Sequence, residues 1–552
     1  MKISTIPQIN RYFWRWQEIL SVLSKYGLAG WASRLGLSFG SNFLTNRQGQ
    51  PLIRAGHEER IRLAVEELGP TFIKLGQVLS TRPDQVGFKL ADELTNLQQN
   101  TPADSTDDVV ALIEKELGRS IADCFATFEH QPLASASIGQ VHRATLTNGT
   151  QVVVKVQHVG IEKQVHVDLE ILSGLAQLAE RLPELRPYRL QSTMAELQRM
   201  MRRELDFGLE LRNQQQFDAM FADDALVSVP KVYPELSTQR VLTMEWFNGR
   251  KLSSVVEDPA AKVRLPEYAR RGAEIYLTMI FEHGFYHADP HPGNLILLDN
   301  GAIGLLDFGM VGRLGDPLRE QVEDLLVAMA SHDTERLTNV VMRLGATPPG
   351  LDDMALSTDL SAFVEQYAYQ SMDNFDLSGA FTEFVELIRR YEIVLPTQVA
   401  LLIKTLLMLE GMAKMMEPEF SLMELVKTYR TKIFRRRLSP KRQARKLRNM
   451  MSELEQLAEV APRRLREILE QVQRGKFDVH LDHRGLEPSV NRLVMGMMTS
   501  ALFLGSSLML SREVWPVHGI SVPGTLGMVL SGMLGIRIMR AINKSGHLDR
   551  KQ

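Results

Sequence analysis

The residues best suited to chemistry lie in His287-Ala288-Asp289-Pro290-His291-Pro292-Gly293-Asn294 and, after a short hairpin, in Asp307-Phe308-Gly309. An Asp five residues before an Asn, followed by a second Asp in a tight turn, is the pattern of kinase-type phosphoryl-transfer sites. In such sites the first Asp orients or deprotonates the attacking hydroxyl, the Asn holds a magnesium ion, and the second Asp holds magnesium bridging the phosphates. Both acidic positions are required because metal must neutralise the triphosphate before reaction proceeds. The pattern predicts Asp289 as a catalytic residue and Asn294 and Asp307 as Mg2+ ligands, with ATP as the nucleotide. An isolated Asp-Phe-Gly is a weak signal, and it gains force from the loop that precedes it. His287 and His291 read as hydrogen-bonding braces of that loop in preference to metal ligands.

Upstream, Val152-Val153-Val154-Lys155 ends an apolar strand with a lysine, the place of a lysine for the α/β-phosphates. A buried ammonium without an anionic partner is costly, so a phosphate or carboxylate is implied beside Lys155. The hairpin before it should carry glycines to cover phosphates, but reads Leu133-Ala134-Ser135-Ala136-Ser137-Ile138-Gly139-Gln140. Alanine does not take positive φ cheaply, so this loop meets a nucleotide in another way.

The elements that must position these groups follow from periodicity and turn residues. Apolar residues at helical spacing over 56–100 are broken near Gly69-Pro70 and Arg82-Pro83. Strands are expected at 138–146 and 152–156, joined by a tight turn at Asn148-Gly149. Helices are expected over 161–182 and 190–221, and short strands at 229–232 and 240–245. A helix near 266–283 is capped by Gly284, and a second hairpin runs through Asp299-Asn300-Gly301 between 295–298 and 303–306. From 316 to 430 the pattern is helical. Strands with inserted helices, followed by a helical mass, predict a two-lobed α+β protein.

With 552 residues the chain exceeds one ordinary core. A net charge of −2 gives no global pull toward nucleic acid. Cys124 is the only cysteine, which excludes an intramolecular disulfide and a cysteine-based zinc site. Near the N-terminus, Phe13, Trp14, Trp16, Ile19 and Leu20 fit one face of an amphipathic helix, packed on its own protein in preference to lipid. A basic run follows the helical mass: Lys427, Arg430, Lys432, Arg435, Arg436, Arg437, Lys441, Arg442, Arg445, Lys446 and Arg448. It suits attraction to anionic lipid. Beyond it, 493–510 and 520–536 carry no charge, and each approaches the roughly 20 helical residues needed to cross a hydrocarbon core. Gly496, Ser500, Ala501, Gly505, Gly532 and Gly535 would let two such helices approach closely. Basic residues before and after the pair place both ends in the cytoplasm, predicting a membrane hairpin.

Three stretches together resemble the UbiB family of atypical kinase-like proteins, tied to biosynthesis of ubiquinone and other prenyl-quinone lipids. They are Lys74-Leu75-Gly76-Gln77, the alanine-rich segment from Pro132 to His142, and the His287–Asn294 loop. The resemblance implies a two-lobed protein-kinase-like fold with an N-terminal helical extension and a C-terminal transmembrane helical hairpin. It divides the chain into an N-terminal helical segment (1–55), a family-specific extension with the lysine-x-glycine-glutamine motif (56–131), and an N-lobe with inserted helices (132–246). A helical C-lobe (247–426), a basic linker (427–490) and the hairpin (491–540) complete it. It implies a catalytic set of Asp289, Lys155 and Lys74, and a nucleotide-binding set of Ala134, Ser135, Ala136, Ser137, Ile138, Lys155, Glu210 and Glu245. Lys74 and Gln77 would lie across the place of a peptide substrate, in a regulatory role, with Glu204 and Asp206 pairing with them. Glu210 would pair with Lys155, although spacing alone nominates Glu170, and both stay open. In a regular helix Glu204 points away from Asp206, so these carboxylates cannot all face a nucleotide without distortion. Ser135 departs from the alanine of many relatives.

Ala288 stands where regulated protein kinases carry Arg, and no Ala-Pro-Glu follows Asp307. The expectation is a membrane-associated ATPase or atypical kinase that acts on quinone precursor lipids or on the ubiquinone biosynthesis enzymes, without nucleic acid. Membrane lipids, anionic ones included, would be its partners, in a bacterial inner membrane. The alternatives are a small-molecule or lipid phosphotransferase and a nucleotide-sensing scaffold without catalysis.

Overall fold

The computed structural model describes residues 6–28, 56–97, 101–180, 190–258, 264–331, 333–348, 350–368, 377–422, 424–426, 448, 451, 486–512, 514–517 and 520–544. The chain divides into two units, 1–439 and 440–552. The first carries a kinase-like arrangement of a small sheet-based lobe and a helical lobe.

The sheet of the small lobe is antiparallel and is built on β1 (Phe125–Phe128), β2 (Ala134–Ser135), β3 (Gly139–Leu146) and β4 (Gln151–Gln157). Gly149, at φ 86°, closes the turn between β3 and β4 at the expected dipeptide, and Asn148 Oδ1 accepts from Thr150 N at 3.0 Å. The short strand β5 (Val227–Ser228) pairs elsewhere, and β6 (Val241–Glu245) pairs with β4 so that Lys155 faces Leu242. Along β4 the side chains alternate. Val152, Val154 and Val156 enter a core with Val109, Ile113 and Phe125, while Val153 joins Ile138, Phe207 and Leu242 on the opposite face. Period-two geometry puts Lys155 on the Val153 face.

A second sheet holds β5, β7 (Gly249–Lys251), β9 (Leu295–Leu298) and β10 (Ile303–Leu305). Beside it β8 (Phe285–His287) pairs with β11 (Val311–Arg313), and this pairing brings the His287 loop against the turn after Asp307. The helix Leu265–Leu277 continues as a π-helical turn, Thr278–His283, and ends at Gly284 with φ 64°. A side chain there would strike Leu314 O, so glycine suits the cap on two counts. The helices Asp316–Ala330, Thr334–Leu344, Asp353–Ala368, Leu377–Arg390 and Thr397–Met416 build the helical lobe around one apolar core.

The helices Ile6–Lys25, His57–Leu68 and Pro70–Ser80 pack on Ile161–Ala179 and Leu190–Glu204 through a separate core. Ile19, Val22 and Tyr26 are buried there, so the described part of the N-terminal helix packs on its own protein. Trp14 remains exposed, and the Phe13 side chain lies outside the described residues. Arg15 anchors this helix by donating to both oxygens of the buried Asp168, at 2.6 and 3.0 Å.

The expected long helix over 190–221 is two helices, Leu190–Glu204 and Phe207–Met220. The break falls at Leu205-Asp206, where Asp206 caps the second helix by accepting from Leu209 N at 3.2 Å. The break removes the geometric conflict among Glu204, Asp206 and Glu210, because they no longer share one regular helix.

The second unit holds two packed helices, Leu486–Ser511 and Val522–Lys544. Each contains a stretch of 19 residues, Leu493–Ser511 and Val522–Arg540, long and apolar enough to cross a membrane. Their outward side chains, among them Leu493, Leu504, Leu508, Leu526 and Met533, are exposed. The expected helix–helix glycines are corrected here. Gly496, Gly505, Gly532 and Gly535 face open space, whereas a side chain at Gly527 would strike Ser506 and one at Gly524 would lie 2.8 Å from Leu510. The seam follows the Gly524/Gly527 stripe, which the uncharged runs alone did not single out. The basic stretch Lys427–Arg448 lies outside the described residues except for Arg448.

Candidate nucleotide site

Lys155 extends from β4 toward the N-terminal turn of Phe207–Met220, where its Nζ donates to both oxygens of Glu210 at 2.8 and 2.9 Å. Phe207 supplies a ring face 5.1 Å from the same ammonium. Asp307 Oδ1 stands 3.5 Å away on the other side. Glu170 is exposed and paired with His166 at 3.2 Å, so Glu210 is the carboxylate on Lys155. Desolvation alone would lower the Lys155 pKa, but Asp307 and Glu210 reverse this and hold it above its usual range. Burial pushes Glu210 up and Lys155 opposes it. The direction that governs the pair is that of Lys155, an ammonium held between two carboxylates.

Asp307 has φ 56°, a conformation rarely adopted by non-glycine residues and often found where strain serves a site. His287 restrains it. With Nε2 as the donor, the ring reaches Leu306 O at 2.9 Å and Asp307 O at 2.8 Å, and its Nδ1 then accepts from Asp289 N at 3.3 Å. The ring is fully buried beside Phe308, Tyr276 and Phe217. His287 and His291 thus both act as loop braces, His291 Nδ1 accepting from Gly293 N at 3.0 Å. Lys155 holds the Asp307 carboxyl down at about 2, burial opposing and Lys74 adding to the fall. That carboxylate is 54% exposed, so water screens part of the attraction.

Asn294 Nδ2 donates to Asp289 Oδ2 at 2.8 Å, leaving its amide oxygen as the group available to a cation. The donor set of Asp307 and Asn294 is all oxygen and contains one carboxylate, with Asp289 held beside it by Asn294. That suits magnesium, which completes its shell with phosphate and water, and it suits zinc poorly.

The alanine-rich segment folds as a tight hairpin. Ser135 pairs with Gln140, and Ala136 N donates to Gly139 O at 2.9 Å. No residue from Ala134 to Ile138 has positive φ. Ser137 and Ile138 are buried, while Ser135 Oγ is buried without a hydrogen-bond partner among the described residues. A side chain at Gly139 would strike Val156 O, which fixes glycine at the base of the hairpin. A brace unforeseen from sequence holds the turn: His158 Nε2 lies 2.9 Å from Ala136 O, and its Nδ1 lies 3.0 Å from Asp104 Oδ2.

From the extension, Lys74 forms an ion pair with Glu204 at 3.1 Å. Glu204 also lies next to Gly309, so Lys74 sits within reach of Asp307. Asp206 is not part of this pair, being committed to its helix cap and to Arg212 at 3.4 Å. Gln77 is half-buried, and its carbonyl accepts from Ser80 Oγ at 2.7 Å. Glu245 contacts Lys231, its N–H donating at 2.8 Å and its carboxylate accepting at 3.1 Å, and not the Lys155 cluster. The extension is fastened at Arg82, which holds Asp84 through two bonds of 3.0 and 2.8 Å and reaches Glu196 at 3.3 Å.

Lys404 was not anticipated. It comes from Thr397–Met416, and its Nζ donates to Ser80 Oγ at 2.9 Å. The signal was a single lysine inside the apolar run Val399–Leu409, a placement that needs a reason.

Family models agree with this architecture. Residues 96–341 match the ABC1 atypical kinase-like domain, 360–421 the UbiB helical domain, and 480–544 the ABC1/UbiB kinase-like C-terminal domain. An uncharacterized protein from the hydrogenase 1 5' region of Clostridium pasteurianum is 30% identical over 547 residues, 97% of this chain and 99% of its own. The uncharacterized protein sll1770 of Synechocystis is 28% identical over 545 residues, covering 97% of this chain and 92% of its own. Among solved structures, the complex of Rv3197 with erythromycin from Mycobacterium tuberculosis is 23% identical with a TM-score of 0.44, covering 62% of this chain and 87% of that one.

Proposed function

Since the chain belongs to the ABC1/UbiB atypical kinase-like family, we propose that it binds and turns over Mg-ATP at a membrane surface, in support of prenyl-quinone synthesis such as that of ubiquinone. The observation that carries this reading is the Lys155 ammonium held between Glu210 and Asp307, with Asp289 and Asn294 joined in the adjacent loop. Magnesium held by Asp307 and Asn294 would neutralise phosphate charge. Lys155 orients the inner phosphates, and Glu210 keeps its side chain extended. Asp289 takes or orients the proton of the attacking water or hydroxyl, steadied by Asn294 Nδ2 and by His287 beneath it. Lys74, paired with Glu204, would occupy the side where a peptide enters, as the family resemblance implies, and this would favour water or a small acceptor over a protein.

The two exposed apolar helices support a membrane hairpin; the basic residues before and after it favour both ends in the cytoplasm of a bacterial inner membrane, and the Lys427–Arg448 stretch would add attraction to anionic lipid. A phosphotransferase acting on a small molecule or lipid is the second reading, favoured by β11 following Asp-Phe-Gly directly in place of a peptide-binding loop.

Purified full-length protein in vesicles is assayed for phosphate release with and without a prenylated phenol, and for label transfer to that lipid. Phosphate release stimulated by vesicles and the lipid, without label transfer, is expected; label on the lipid would establish the phosphotransferase. No ATP turnover under any condition would contradict both.

A further inference from the structure

Charge compensation differs from one lysine to the next around this site. Lys155 and Lys74 each have a carboxylate within ion-pair distance, at 2.8 and 3.1 Å. Lys404 has none within 4.0 Å among the described residues, and its hydrogen bond goes to the neutral hydroxyl of Ser80. The side chain is half-buried, and it lies in electrostatic reach of both Asp289 and Lys74. Its helix is tied to the loop it faces, because the neighbouring Thr405 Oγ1 donates to Ala288 O at 3.3 Å, one residue before Asp289.

In phosphoryl transfer the charge of the moving group is spread over its three equatorial oxygens, and cations placed there stabilise it. The loop from Asp289 to Asn294 contains neither Lys nor Arg. A partly desolvated ammonium next to that loop, without a carboxylate of its own, is an anion site in waiting. We propose that Lys404 is a phosphoryl-binding residue, contacting the terminal phosphoryl group on the Asp289 side while Lys155 serves the inner phosphates. This rests on the Mg-nucleotide reading above. Desolvation lowers the Lys404 pKa to about 8, Asp289 opposing and Lys74 adding to the fall. At neutral pH the group is therefore mostly an ammonium, suited to bind an anion and not to act as a base.

The test measures affinity of the full-length, detergent-solubilised protein for Mg-ADP alone and for Mg-ADP with aluminium fluoride, a mimic of the phosphoryl group in transfer. In the wild type, fluoride should tighten ADP binding. Lys404→Met should leave Mg-ADP affinity as it was, remove about tenfold or more of the fluoride gain, and slow ATP turnover about a hundredfold. Lys404→Arg should restore much of the gain. Ser80→Ala, which removes the hydroxyl that accepts from Lys404 and donates to Gln77 O, should keep it. A full fluoride gain in Lys404→Met overturns the inference. So does a parallel loss of Mg-ADP affinity and melting temperature in Lys404→Met, which would make the residue a packing strut. Wild-type protein that binds Mg-ADP with no fluoride gain removes the inference alone. Wild-type protein that binds no Mg-ADP removes the nucleotide reading and the inference with it.

Discussion

The two sides of the site hold their cations by opposite means. On the nucleotide side, Lys155 is clasped by Glu210 and flanked by Asp307, and little of its charge is left over. On the acceptor side, Lys404 is held by one hydroxyl. A compensated cation is a strut whose position is set before ligand arrives, at the cost that its carboxylates compete with the phosphates for it. An uncompensated one is poorly placed until an anion joins it. The comparison predicts that damage on the nucleotide side appears in stability and ground-state binding, and damage on the acceptor side appears in turnover.

The largest effect is expected at Asp289. Asp289→Asn should lower ATP turnover about a hundredfold or more while sparing Mg-ADP affinity, because it removes proton transfer and leaves Lys155 and Asp307 in place. Equal losses in turnover and affinity would erase the distinction between the two sides.

Next comes Glu210→Gln, which strips the clasp from a lysine that is only 19% exposed. It should cost about 3 kcal/mol of stability, read as a drop in melting temperature, with Asp307 limiting the damage. The same side carries an acid dependence. Asp307 has its pKa lowered from 3.8 to about 2, so its contribution is present above about pH 4 and is lost as pH falls toward 2. Asp307→Asn should remove that part of the acid transition.

How much of this was legible beforehand varied with the distance in sequence over which each feature is set. The β3–β4 hairpin, the lysine ending an apolar strand at Lys155, and the Gly284 cap are local, and each was readable from a few adjacent residues. Glu210 was not decided by spacing. Its selection depends on the helix break at Leu205-Asp206, where a cap competes with continued helix, and the periodic pattern over 190–221 conceals that break. The brace on the alanine-rich turn joins Asp104 to His158, and Lys404 reaches Ser80 across 324 positions of sequence. Such pairings carry no periodic signature. The hairpin helices were legible as apolar runs, yet their seam was not, since small residues occur on both faces and only packing selects Gly524 and Gly527.

A smaller effect is expected at Lys74. Lys74→Ala breaks a largely buried pair with Glu204, the side chains 14% and 19% exposed, and should cost about 2 kcal/mol. It should nonetheless raise autophosphorylation measured by label incorporation, because the guarded side opens. Unchanged autophosphorylation would make Lys74 an ordinary structural lysine. Least of all in size, Ala136→Gly should loosen the turn that His158 braces and alter the ratio of ADP to ATP affinity without a change in fold. An unchanged ratio would show that the brace, and not the alanine, sets that loop.

The most direct measurement is calorimetric titration of ADP into full-length, detergent-solubilised protein, with magnesium and with chelator, for wild type and Asp307→Asn. Binding that requires magnesium in the wild type and is lost in Asp307→Asn is the predicted result. Magnesium-dependent binding of wild-type strength in Asp307→Asn would contradict the assignment of this site.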